Sequence, residues 1–258
     1  MDDFFSRSET LLGNGVMDAL RSKRVILFGV GGVGSWAAEA LIRTGLVHIT
    51  LVDDDIVQPS NVNRQLPATR LTLGMPKVEA LRDRLLTINP DADIVAVQQR
   101  YSATDNTDHT PFDFRLATFD YLVDAIDSVP DKTDLLLTAS RIRGLKVFSS
   151  MGAALRFDPT KVTTGELMTV KGDALARAVR QRMKRLKRHP AKKIQCVYST
   201  ENALPLPLLP GGERVKGSLM QVTAVFGCTL ASLILRDLIP APGITETEPR
   251  LNRDITET

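Results

Sequence analysis

Residues 25–34 read VILFGVGGVG, an apolar run that closes on the pattern Gly29-x-Gly31-Gly32-x-Gly34. With Arg24 in front, the run is rich in β-branched and large apolar side chains and has no polar alternation, as a strand buried on both faces of a parallel sheet requires. The next residues, SWAAEALIRTG (35–45), place apolar side chains at helical spacing and stop at Gly45. Strand, glycine turn and helix in that order make a phosphate cradle. Glycines permit the tight turn and close backbone approach, and the free N–H groups and dipole of the helix N-terminus attract the anion. Asp53 ends the following strand, HITLVD (48–53), 19 residues past Gly34, and is placed to accept hydrogen bonds from ribose hydroxyls. NAD and ATP satisfy these features equally.

Outward from this stretch the alternation continues. MPKVEALRDRLLTIN (75–89) reads as a helix with Pro76 in its first turn and Asn89-Pro90 ending it. ADIVAVQQR (92–100) is a third strand, YLVDAI (121–126) a fourth, DKTDLLLTASRIRG (131–144) a helix and LKVFSS (145–150) a fifth strand. A further helix is expected over 9–21. This rhythm predicts an α/β fold, a doubly wound, Rossmann-like, mostly parallel sheet with right-handed crossovers. After residue 150 the runs AALRFDP (153–159), KVTTGEL (161–167) and IQCVYST (194–200) are short and strand-like, and extend the sheet with antiparallel strands. Residues 1–240 are expected as a single domain, with a nucleotide-binding half over 1–150 and a substrate-facing half over 151–240. The tail 241–258 has Pro, Gly and charge without periodicity and is expected to be disordered.

The chain has 258 residues, 43% of them hydrophobic and 24% charged, which is enough to bury a core. Cys196 and Cys228 stand 32 residues apart with no CxxC pair, so neither a disulfide framework nor a four-cysteine zinc site can form. A reducing, cytoplasmic setting is expected, and MDDFFSRSET lacks the basic-then-apolar pattern of an export leader. The segment LMQVTAVFGCTLASLILRDLI (219–239) approaches membrane-span length. Gln221, Thr223, Gly227, Thr229 and Ser232 interrupt it and Arg236 and Asp237 cut it short, so it is read as a buried core helix with no membrane insertion.

The net charge of +3 conceals an asymmetry: residues 171–193, KGDALARAVRQRMKRLKRHPAKK, hold ten Lys/Arg against one Asp, a local +9 that leaves the remainder at −6. Within it Leu175, Val179, Met183 and Leu186 form one apolar stripe, while Arg177, Arg180, Lys184, Arg185, Lys187 and Arg188 fall elsewhere. A docked helix presenting cations to RNA has this pattern, and so do a membrane-surface helix and a solvated face.

Downstream cations separate ATP from NAD. A triphosphate brings about four negative charges that need offsetting. SNVNRQ supplies Asn61 and Arg64, GMPKVEA supplies Lys77 in the first turn of a helix, and VDAIDSV sets Asp127 just past the fourth strand, where a carboxylate can hold Mg2+. Their joint arrival at strand ends favours ATP with Mg2+.

These residues also carry a resemblance. RVILFGVGGVGSWAAEALIRTGLVHITLVDDDIVQPSNVNRQ, GMPKVEALRDRLLTINP and VDAIDS resemble the E1-like adenylating superfamily of ubiquitin-activating enzymes and sulfur-carrier adenylyltransferases, densely over residues 5–150. The resemblance implies phosphate approach at Gly29, Gly31, Gly32 and Gly34, ribose contact at Asp53, phosphate contacts from Asn61, Arg64 and Lys77, and magnesium at Asp127. Arg7, in FFSRSETLLG, matches an arginine that reaches into the partner subunit's ATP site, which implies a homodimer. Ser128 stands where asparagine is common, and the paired CxxC motifs of many sulfur-carrier enzymes are absent.

GSWAAEALIRTG, VDAIDSVPDK, CVYSTE and VTAVFG are most similar to the branch of tRNA threonylcarbamoyladenosine dehydratases, although NALPLPLLPGGERVKGS (202–218) is shorter than that branch leads one to expect. That resemblance implies adenylation of the threonylcarbamoyl carboxylate on adenosine 37 of tRNA, then ring closure with loss of AMP and, in sum, of water. It makes tRNA the partner, with room for a sulfur-transfer or carrier partner protein. The rival readings are an adenylyltransferase for the C-terminal glycine of a ubiquitin-like sulfur carrier, and an NAD-dependent oxidoreductase or nucleotide-sensing module. Cys196, between Gln195 and Val197 on an expected strand, reads as a buried small hydrophobe with a covalent role as the alternative. Cys228 reads as core, and His48, His109 and His189 receive no role.

Overall fold

The computed structural model describes residues 4–102, 114–205 and 215–239. His109 and the tail 241–258 lie outside the described residues.

Strands β1 (Arg24–Phe28), β2 (His48–Val52), β3 (Asp93–Val97), β4 (Tyr121–Asp124), β5 (Lys146–Ser150), β6 (Val162–Glu166) and β7 (Gln195–Ser199) form one sheet in the order β3-β2-β1-β4-β5-β7-β6. Every neighbouring pair is parallel except β6 against β7. The expected mostly parallel sheet with an antiparallel extension is present, and the antiparallel member is the edge strand β6.

Period-two alternation assigns each strand's side chains to two cores. In β1, Val25 and Leu27 join one buried cluster and Ile26 and Phe28 the other. Helices α2 (Asn14–Ser22), α3 (Gly34–Thr44), α4 (Lys77–Leu86) and α7 (Met220–Leu238) supply the first cluster, through residues such as Leu20, Leu41, Leu81 and Phe226. Helices α5 (Val129–Ala139) and α6 (Ala174–Arg185) supply the second, through Leu136, Val179 and Met183. Each such side chain taken wholly out of water contributes about 1.5–3 kcal/mol.

Helix α7 is long and apolar enough in composition to cross a membrane, and its Val222, Phe226, Leu230 and Ile234 are buried in the first cluster. It lies backbone to backbone on α3: a Cβ on Gly227 would stand 2.5 Å from the Val33 carbonyl oxygen and 2.6 Å from Trp36 Cβ. Glycine is the residue that allows this approach.

Four expectations need correction. The helix expected over 9–21 is two helices, α1 (Ser6–Leu12) and α2, because Gly13 between them adopts φ 77°. AALRFDP is not a strand: Leu155 takes φ 62°, and the segment runs as turn and coil into the short 3-10 turn Pro159–Lys161. Cys228 is exposed, on the side of α7 that faces away from Phe226 and Leu230. Leu186 lies beyond the end of α6 at 43% exposure, and the stripe that α6 buries is Ala176, Val179 and Met183.

Candidate active site

The carboxyl ends of β1, β2, β4 and β5 open on a cavity of about 590 Å³ lined by Gly29, Gly31, Gly32, Asp53, Asn61, Arg64, Lys77, Asp127, Met151 and Arg156, among others. Its volume suits a nucleotide-sized ligand. Of the residues expected there from the sequence, Gly34 is outside the lining; Arg7, expected to reach a partner subunit's site, does not line the cavity of its own chain.

The glycines divide by role. At Gly29, φ is 86° and a Cβ would sit 2.8 Å from the Ala125 carbonyl oxygen, while the Gly29 N–H donates to the Val52 carbonyl at 2.8 Å. At Gly34 a Cβ would fall 1.8 Å from the Gly29 carbonyl oxygen. These two close the turn. Gly31 and Gly32 form the cavity surface, and a side chain on Gly32 would press on Arg64 and Thr223 at 3.3 Å.

Asp53 is held by the backbone: one carboxylate oxygen accepts from Val30 N–H at 2.8 Å and the other from Asp55 N–H at 2.9 Å. Burial pushes its carboxyl above the usual range, and Lys77 and the two N–H groups oppose that. Asp53, Asp54 and Asp55 lie close enough to suggest a metal cluster. Two of the three are already engaged, however, because Asp55 holds Lys77 Nζ at 2.5 Å. Lys77 is only 5% exposed, so this pair presents the ammonium at the cavity wall.

The segment after β2 winds into the 3-10 turn Pro59–Asn61. Asn61 Oδ1 accepts the Gln58 N–H at 2.9 Å, which leaves its amide NH2 as what it can offer a ligand. Arg64 Nη1 donates to the Ser60 carbonyl at 2.8 Å and to Asn63 Oδ1 at 3.0 Å, and no carboxylate pairs with it among the described residues. Trp36, the only tryptophan of the chain, donates Nε1–H to the Arg64 carbonyl at 3.1 Å.

Asp127 is exposed in the cavity, and among the described residues nothing bonds its carboxylate. Its position is set from beneath by a fully buried pair that sequence reasoning missed. Lys132 Nζ donates to Asp124 Oδ2 at 2.7 Å and to the Ile126 carbonyl at 2.8 Å, Asp124 Oδ1 accepts Ile126 N–H at 3.0 Å, and Ser149 Oγ donates to Asp124 Oδ2 at 2.6 Å. Both main-chain groups of Ile126 are fixed, so the next residue has a defined place. The signal was present in VDAIDSVPDK, whose first Asp and last Lys end up paired. Also missed were Gln65, Thr223 and Arg156, all lining the cavity.

Cys196 is fully buried, lies outside the cavity lining and donates weakly to the Ile194 carbonyl. Burial pushes its thiol far above the ordinary value, the opposite of what a nucleophilic cysteine needs. His48 pairs with Asp93 at 3.2 Å on the far sheet edge, and His189 is exposed. Of the basic residues after Asp173, Arg177, Lys184, Arg185 and Lys187 are exposed. Arg180 donates to the Leu167 carbonyl at 2.9 Å, and Arg188 stands 3.7 Å from Asp134.

Sheet and cavity together define a doubly wound α/β protein with lysine, arginine and carboxylate groups gathered at the carboxyl edge, where such folds bind nucleotides. The ThiF family model matches residues 5–254, and the chain belongs to the ThiF family. It is similar to the tRNA threonylcarbamoyladenosine dehydratase of Bacillus subtilis, 38% identical over 200 residues, 78% of this chain and 76% of that one. The Escherichia coli enzyme of that name, TcdA, solved in complex with ATP, matches with a TM-score of 0.78 and 32% identity over 92% of this chain and 93% of its own. The Escherichia coli molybdopterin-synthase adenylyltransferase is 33% identical over 141 residues, 55% of this chain and 53% of that one.

Proposed function

We propose that the protein is an ATP-dependent tRNA threonylcarbamoyladenosine dehydratase. The observation that carries this reading is the meeting of Lys77, Arg64 and Asp127 around one cavity beside Gly31 and Gly32, in a chain that shares most of its length with dehydratases of that name. A carboxylate is a poor electrophile, and joining it to AMP supplies a good leaving group. The threonylcarbamoyl carboxylate attacks the α-phosphorus of ATP and pyrophosphate departs. A nucleophile in the same modification then attacks the acyl carbon, AMP leaves with the bonding electron pair, and the ring closes with net loss of water. Tethering makes a covalent enzyme intermediate unnecessary.

In this reading Gly31 and Gly32 approach the phosphates, Asp53 takes the ribose hydroxyls, and Asn61, Arg64 and Lys77 offset the triphosphate. Asp127, exposed and unbonded among the described residues, suits Mg2+, which binds through one or two carboxylates plus phosphate oxygens and would neutralise charge on the departing pyrophosphate. The basic face of α6 is assigned to the tRNA backbone, and Arg7 to the site of the second subunit in a cytoplasmic homodimer. Adenylation of a sulfur-carrier glycine is the weaker reading. The chain has only two cysteines and no CxxC pair, and the molybdopterin-synthase relative matches over about half of its length.

The test is mass spectrometry of tRNA nucleosides after incubation with protein and ATP. The position 37 modification should lose one water, with AMP and pyrophosphate released only when modified tRNA is present. Release driven instead by a carrier protein, or binding of NAD in preference to ATP, overturns the reading.

A further inference from the structure

The segment Gly152–Arg156 follows β5 and forms the wall of the cavity on the far side of Asp127 from Asp53, since the strands run β2-β1-β4-β5 along this edge. Arg156 is 4% exposed. Its Nε donates to the Gly152 carbonyl at 3.0 Å and its Nη2 to Asp173 Oδ2 at 3.2 Å, while its Nη1 is buried with no acceptor among the described residues. Asp173 meets the guanidinium only through Nη2, and it also accepts Gly152 N–H at 3.1 Å and caps α6 through Ala176 N–H at 2.8 Å. A buried charged donor left unpaired is rare and unfavourable in a folded protein.

The neighbouring residue adds an independent observation. Leu155 holds φ 62°, a left-handed conformation that large L side chains avoid. Long-range bonds impose it: Leu155 N–H donates to the Gly217 carbonyl at 2.9 Å and Leu204 N–H to the Leu155 carbonyl at 2.7 Å. Strained backbone beside an unsatisfied donor on a cavity wall marks a ligand contact. Ala153, Ala154 and Leu175 line the same wall; Lys216, beside Gly217, is a second cation of the lining but is exposed, which leaves Arg156 as its buried cationic donor.

We infer that Arg156 binds the carboxylate of the acyl substrate and thereby selects it. The inference rests on the dehydratase reading and names the residue that recognises the group to be activated. One carboxylate oxygen forms the new bond to the α-phosphorus as pyrophosphate leaves with its electron pair, and the other stays on Nη1, which turns from its covered position to meet it. When the tethered nucleophile attacks, that second oxygen becomes the oxyanion of the tetrahedral centre, and Nη1 holds it until AMP departs with its electron pair.

Two variants test this. R156K keeps a cation for Asp173 and removes the fork. R156M/D173N removes charge from both partners and retains a good helix cap at 173. Affinity for ATP is followed by Trp36 fluorescence, and affinity for tRNA is compared between tRNA carrying threonylcarbamoyladenosine and the same tRNA with plain adenosine at position 37. Both variants should bind ATP nearly as well as the parent, lose the preference for modified tRNA, and fall about 10- to 100-fold in kcat/KM for AMP formation. Parental kcat/KM and preference in either folded variant overturns the assignment, as does a parallel loss of ATP affinity, which would make Arg156 a structural residue. No tRNA-dependent AMP formation by the parent protein is a different result, and it removes the function and this assignment together.

Discussion

Asp127 shows how an exposed side chain at the cavity is positioned by a buried ion pair beneath it. Burying the Asp124–Lys132 pair is costly unless each charge is hydrogen-bonded, and here Ile126 and Ser149 provide those bonds. Asp127 should therefore be replaceable without loss of the scaffold. Asp127→Asn is expected to keep ATP affinity within a few-fold while AMP formation drops about 100-fold or more, as removal of one electrostatic stabiliser does. Stopped assays for pyrophosphate check the rate, and a turnover number equal to the parent's would remove Asp127 from the chemistry. Cys196 makes the contrary case. A thiol held protonated by burial is a packing group, so Cys196→Ser should leave turnover within about twofold. A strong loss, with a thioester trapped on the parent enzyme, would overturn the tethered mechanism.

Among the elements, β1 to β5 were legible because short runs rich in β-branched or aromatic residues alternate with helical patterns, and their ends carried the candidate site with them. The glycine pattern, Asp53, Lys77 and Asp127 were legible for the same reason. What failed was non-local. In AALRFDP the alternation of Leu155, Arg156 and Phe157 imitates a half-buried strand, but Leu155 obeys Gly217 and Leu204, and Arg156 obeys Asp173. No local period contains those partners. The exposure of Cys228 is equally hidden from the sequence, because α7 is apolar on both sides yet packs on only one.

Helix α6 begins at the cavity with Asp173 and Ala174 and runs 12 residues, so its basic end stands about 18 Å away at 1.5 Å per residue. That geometry suits a phosphate track leading away from the site. Charge reversal at Arg177, Lys184 and Arg185 should weaken tRNA binding, reduce the salt slope by roughly one for each phosphate no longer neutralised, and spare ATP binding. Binding isotherms at several salt concentrations decide it, and an unchanged slope assigns the face to solvent.

Between α3 and α4, burial pushes the Glu39 carboxyl up, but hydrogen bonds from Arg84 and Arg43 outweigh it and the net direction is down. A carboxyl lowered on folding contributes stability above its unfolded value and loses it as pH falls through the folded one. Glu39→Gln should cost about 1–3 kcal/mol near pH 7. That deficit should begin to shrink as pH falls below about 4.5, the ordinary carboxyl value, and be lost through the lower value of the folded state. Urea midpoints across this range test the sign.

At the scale of the whole molecule, α1 poses the remaining problem. It is seven residues long with no buried side chain, and Phe4 and Leu11 at its edges are 69% and 83% exposed. So short a helix is not stable by propensity alone, and Arg7 on it is exposed and outside the lining of its own chain's cavity. Both features follow if α1 docks on a second copy and delivers Arg7 to that copy's site. Symmetry makes the idea testable without a structure of the dimer. If Arg7 acts in trans, Arg7→Ala and Asp127→Asn each disable both sites of their own homodimer. A mixed dimer then combines the intact Asp127 of one chain with the intact Arg7 of the other in one of its two sites. Random exchange makes half the dimers mixed, so equal amounts of the two inactive variants, mixed and allowed to exchange, should recover about one quarter of parental AMP formation. Action of Arg7 within its own chain leaves every site defective, and no activity returns.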